Sequence, residues 1–93
     1  MSIQTKEAEM IGSWEMKDGR MVEDAVCQRI RQLVATELQQ VAVSEDGWEK
    51  LYRDPKDGRL WEWFYPQSEM LGGGPPALRV VRPEVAERKY HRV

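Results

Sequence analysis

Ninety-three residues with 14 basic side chains against 16 acidic ones, a net charge of −2, make one small domain with room for a single modest core. A charge so near neutral excludes the chain-wide basic field of a nucleic-acid binder, and one cysteine, Cys27, excludes an internal disulfide framework. No apolar run reaches bilayer length; with no signal peptide at its start, the chain reads as a soluble protein of a reducing cytoplasm.

Residues 1–10, "MSIQTKEAEM", have no committing period and are expected to form a mobile lead-in to a single domain over 11–93. "IGSWEMKDGRMV" places apolar residues on both sides of "KDG", where Gly19 can supply a positive φ; a short hairpin or a strand leading into a helix both satisfy it. From Glu23 to Val41 the period turns helical, with Val26, Ile30, Leu33, Val34, Leu38 and Val41 at spacings of three and four. Glu23 and Asp24 suit the positive end of that helix. Cys27, beside Val26, reads as a packing residue.

"EDGWEKLYRDPKDGRLWEWFYPQ" follows. Two aromatic runs, Trp48 to Arg53 and Leu60 to Tyr65, flank "DPKDG", where Pro55 presets a turn and Gly58 closes it in the left-handed region, so an antiparallel hairpin is predicted. Alternation sets Trp48, Lys50 and Tyr52 against Glu49, Leu51 and Arg53, and Trp61, Trp63 and Tyr65 against Leu60, Glu62 and Phe64. Both faces are partly aromatic, whereas a helix-backed sheet needs one apolar face. The second face must pack on the long loop and the termini or stay open to a partner. After "GGGPP", "ALRVV" is a third strand, and "RPEVAERKY" a short helix with Pro83 at its first turn. The predicted class is α+β: one long helix on a small antiparallel sheet of three or four strands, with a short C-terminal helix.

The glycine run invites a phosphate reading, but Pro75 and Pro76 carry no N–H and no helix follows, so convergent amide donors are missing. The glycines serve better to turn the chain or bring it close to another backbone, and the prolines to stiffen its exit. Catalysis finds little support: His91 is the one histidine, three residues from the end, and Cys27 lies on the helix's packing face. No cofactor or metal is expected, because metal sites need several imidazole or thiolate ligands. Aromatics on a sheet could stack single-stranded bases, but residues 42–73 carry seven acids (Glu45, Asp46, Glu49, Asp54, Asp57, Glu62, Glu69) against four bases (Lys50, Arg53, Lys56, Arg59), the wrong sign for phosphate. The last twenty residues are net basic by three. A protein-binding surface is the remaining reading, since Trp, Tyr and Arg dominate interface hot spots. A small nucleic-acid-binding or regulatory module, and less so a small enzyme, stay as alternatives.

The stretch "GWEKLYRDPKDGRLWEWFYPQSEMLGGGPPAL" resembles immunity protein family 27 of bacterial polymorphic toxin systems. Its Gly-Trp-Glu, Asp-Pro-x-Asp-Gly-Arg, Trp-Glu, Tyr-Pro-x-Ser-Glu and Gly-Gly-Gly-Pro-Pro elements stand in the family's order. With "IGSWEMKDGRMV" and "CQRIRQL" the similarity covers roughly residues 8 to 90, departing at Leu71, where a His commonly precedes the glycines. The resemblance implies a non-enzymatic antitoxin that binds and neutralises a toxin encoded beside it, often an enzyme acting on nucleic acid or nucleotides. On that reading Asp46, Glu49, Glu62 and Glu69 are the expected charge-matching groups, and Tyr65 and Met70 the apolar anchors, against a toxin domain with a basic active site. No nucleic-acid or membrane partner is expected, and the oligomeric state is open. A rival role for Glu49, Glu62 and Glu69 is structural, holding the "GGGPP" loop and Arg59, which would leave the helix's polar face or the basic C-terminal end to meet the toxin.

Overall fold

The computed structural model describes residues 3, 6–68 and 74–91. Five strands, β1 (Glu9–Ile11), β4 (Gln39–Val43), β5 (Lys50–Arg53), β6 (Leu60–Phe64) and β7 (Ala77–Val81), form one sheet in the order β1-β7-β6-β5-β4. Every neighbouring pair in it is antiparallel. Strands β2 (Trp14–Lys17) and β3 (Arg20–Glu23) form a separate two-stranded ribbon, and the helices are α1 (Ala25–Thr36) and α2 (Pro83–Tyr90).

Local chemistry sets these elements. Asp18 and Gly19 both take positive φ (52° and 78°), the paired left-handed turn that suits hairpin twist, so "KDG" closes a hairpin. Between β5 and β6, Gly58 sits at φ 77° and donates its N–H to the Asp54 carbonyl at 2.8 Å, as the "DPKDG" reading expects. Asp24 caps α1 by accepting the Cys27 amide at 2.9 Å.

Pleat alternation sends the central hairpin to two covered faces. Tyr52, Trp61, Trp63 and Leu78 pack on Ile30 and Leu33 of α1, while Leu51 and Leu60 pack with Ala42 on Ala86 and Tyr90 of α2. The second apolar face is therefore covered by α2.

Three expectations need correction. Helix α1 ends at Thr36 rather than Val41: the Glu37 and Leu38 amides both donate to the Leu33 carbonyl, at 2.8 and 2.9 Å, which closes the last turn. Gln39, Gln40, Ala42 and Val43 then pair with β5 as an edge strand, with Val41 at the register shift between Gln40 and Ala42. The sheet thus has five strands, not three or four. The third difference is the expected lead-in: its described residues include Ile3, 8% exposed in the core, Glu7, whose carboxylate pairs with Arg29, and the start of β1. Pairing with β7 satisfies backbone groups that a lead-in would leave to water.

The end of the glycine and proline run is packed. Pro75 and Pro76 are fully buried, and the Pro76 carbonyl accepts the Gly12 amide at 2.9 Å. Gly74 has φ 78° and passes so close to Gln67 that a Cβ there would lie 2.6 Å from the Gln67 carbonyl oxygen. This is the close backbone approach expected of the glycines.

Candidate functional site

The β4–β5 connection is built by two small polar side chains. The Ser44 hydroxyl donates to Asp46 Oδ1 at 2.6 Å and accepts the Glu49 amide at 3.0 Å, and Asp46 Oδ1 also accepts the Trp48 amide at 3.0 Å. Gly47, at φ 79°, lets the chain reverse. Trp48 is thereby held out from the sheet, 51% exposed, just before β5 begins.

Tyr65 at the end of β6 meets it. The Trp48 and Tyr65 rings are 5.5 Å apart and nearly perpendicular, and Trp63 stands 6.1 Å from Tyr65 on the other side, so an aromatic file runs from the core to the surface. Trp63 is anchored under α1, with Arg31 and Lys50 each 5.6 Å from its ring centre. At the outer end of the file lies a cleft of about 300 Å³ lined by Asp46, Trp48, Glu49, Tyr65 and Ser68. The Ser44 hydroxyl and then the Trp48 amide hold the Asp46 carboxyl below its ordinary range, so it stays anionic at neutral pH.

A second acidic constellation lies beneath the surface. Glu62 is 2% exposed on the α2 side of the sheet; its Oε1 accepts Arg79 Nη2 at 2.7 Å, and its Oε2 accepts the Tyr90 hydroxyl at 2.6 Å and Lys89 Nζ at 2.7 Å. Lys89 also reaches Glu49 Oε1 at 2.7 Å. Burial raises the Tyr90 hydroxyl's pKa, and its bond to Glu62 raises it further, keeping it a neutral donor. Arg79 lies over the Phe64 ring at 3.9 Å, closing the edge of the network.

Of the six residues expected at the surface, the fold brings Asp46, Glu49 and Tyr65 into one cleft. Glu62 is a correction: as the central residue of a covered strand it points under α2 and can reach no partner protein. Its bonds run to Arg79, Lys89 and Tyr90, so the structural role expected for it, holding the glycine loop and Arg59, is not the one it has. Arg59 instead bonds Asp57 and the Glu7 carbonyl. Glu69 and Met70, with Leu71, lie outside the described residues. Trp48 and Ser68, the first residues of the hairpin and of the loop expected to form the contact surface, also line the cleft, whereas sequence reasoning missed Lys89 as the link between cleft and core. The signal for Trp48 was its place in "EDGW", one residue past a turn glycine and beyond the helix footprint.

Among the described residues no group of three or more His, Cys, Asp or Glu side chains is placed to hold a metal ion, and no helix is long and apolar enough to cross a membrane. A family model described as Immunity protein 27 matches residues 16–82, from β2 through β7 and so across the whole cleft. No curated protein and no solved structure matches the chain.

Proposed function

Since the chain belongs to the immunity protein 27 family, we propose that it neutralises a cognate toxin by stoichiometric binding, without chemistry of its own, through the surface around the Asp46–Trp48–Glu49–Tyr65 cleft. The observation that carries this reading is the half-exposed Trp48 beside two carboxylates, on a turn that hydrogen bonds hold rigid. A large aromatic fixed at the surface gives contact area at little entropic cost on binding, and carboxylates beside it favour a basic partner. A toxin that grips phosphate must be basic where it does so, and the acidic rim would cover that site or the channel leading to it. For Glu69 and Met70 the assignment to this surface rests on the sequence. Protection of a producing cell calls for affinity around nanomolar, roughly −12 kcal/mol.

The test is survival. Cells expressing the cognate toxin should die when this gene is deleted and recover when it is restored. A folded Asp46→Lys variant should protect poorly, because it reverses the cleft carboxylate that makes no direct ion pair among the described residues. Full protection by that variant, with unchanged affinity in a direct binding measurement, would move the interface elsewhere on the molecule.

A further inference from the structure

The lining of the cleft narrows what it can accept. Trp48 keeps half its surface in water although Tyr65 meets it edge to face, and the π face of an exposed indole attracts cations. Asp46 commits Oδ1 to the Ser44 hydroxyl and the Trp48 amide, leaving Oδ2 without a partner among the described residues. Arg79 and Lys89 bond Glu62, and Lys89 also bonds Glu49, whereas Asp46 makes no direct ion pair among the described residues and feels Lys89 only at longer range. An opening of about 300 Å³ is at the small end of binding clefts, suited to a side-chain head rather than a folded element. A guanidinium meets all of these conditions: it is planar enough to lie on an indole, weakly hydrated enough to leave water, and forked to bond a carboxylate. An ammonium is a compact and strongly hydrated point charge, and loses more on entering.

We propose that the cleft is a receptor for one arginine side chain of the partner protein, its guanidinium set against Trp48 and bonded to Asp46, with Glu49 as a second acceptor shared with Lys89. The inference rests on the cleft being part of the toxin-facing surface, but its first test needs no toxin. The full chain is titrated with N-acetylarginine amide, with the neutral isostere N-acetylcitrulline amide and with N-acetyllysine amide, following the Trp48 indole N–H by NMR. The resonances of buried Trp61 and Trp63 report that the fold is intact.

A saturable Trp48 shift is expected for the arginine derivative, with affinity roughly fivefold or more above both other probes, and it should vanish in Asp46→Asn. No saturation by about 100 mM, where even a millimolar site fills, overturns the proposal, as does equal affinity for citrulline or lysine. The outcomes separate the two readings. Lost protection in Asp46→Lys with a silent arginine titration keeps the surface and removes the arginine. A saturable titration with full protection by folded Trp48→Ala removes the toxin as the arginine's source.

Discussion

Burial alone would push the Glu62 carboxyl up, yet bonds from Lys89, Tyr90 and Arg79 outweigh it and hold the group below its ordinary value of 4.5. A carboxyl depressed in the fold contributes stability that is complete above its unfolded value and lost as pH falls through the folded one. Glu62→Gln should therefore cost about 2 kcal/mol at neutral pH, by depriving Arg79 and the buried Tyr90 hydroxyl of their anion and leaving Lys89 with Glu49 alone. That is a fall of roughly 10 °C in melting temperature for a domain this size. The gap between wild type and variant should narrow as pH drops below about 4.5; a gap constant from pH 7 to pH 3 would show that Glu62 acts through packing alone. The glycines offer a second contrast. Gly58 and Gly74 share nearly the same positive φ, but a Cβ at Gly58 meets nothing within 4 Å, whereas at Gly74 it strikes the Gln67 backbone. In denaturant titrations Gly58→Ala should cost about 1 kcal/mol of left-handed strain, and Gly74→Ala at least about twice that, because backbone must move as well.

At the level of elements, what could be read ahead of the structure was whatever a short window of residues decides by itself. "KDG" and "DPKDG" fix their turns through φ preferences at Gly19 and Gly58, Pro83 opens α2, and the alternation of Leu60 to Phe64 sets which side chains share a face. Strand β4 was hidden because Leu38 and Val41 continue the three-and-four spacing of α1. Only pairing with β5, a contact between separate stretches of chain, turns "QQVAV" into strand. The same limit explains the site. Asp46, Glu49 and Tyr65, named on the family resemblance, line one cleft, whereas the burial of Glu62 depends on α2 folding back over the sheet, which no local pattern around residue 62 announces. Where local chemistry does act, its worth can be measured. Asp24 satisfies the helix-start amide of Cys27, so Asp24→Ala should lower stability by about 1 kcal/mol, read as a shift in the denaturant midpoint at unchanged slope.

On the scale of the molecule, folding partly cancels the charge separation written along the chain. The acidic stretch over 42–73 and the basic last twenty residues look like two poles, but Lys89 returns to Glu49 and Glu62, and Arg79 to Glu62, while Asp46 makes no direct ion pair among the described residues. Removing Lys89 should thus separate stability from recognition. Lys89→Ala deprives Glu62 of one of three partners, and because the lysine is about a third exposed the loss should be modest, about 1 kcal/mol. The same change frees Glu49 and makes the cleft more negative, so association with a basic toxin should quicken several-fold at about 20 mM salt and converge on the wild-type rate as salt screens the field. Asp46→Lys should move association in the opposite direction, with a melting temperature somewhat lowered by loss of the turn bonds to Ser44 and Trp48. Stopped-flow association with the purified toxin domain, at low and near-physiological salt, reads both. If the toxin instead docks on the basic end of α2, Lys89→Ala removes a contact and slows association while Asp46→Lys leaves it alone, so the signs of the two rate changes assign the face.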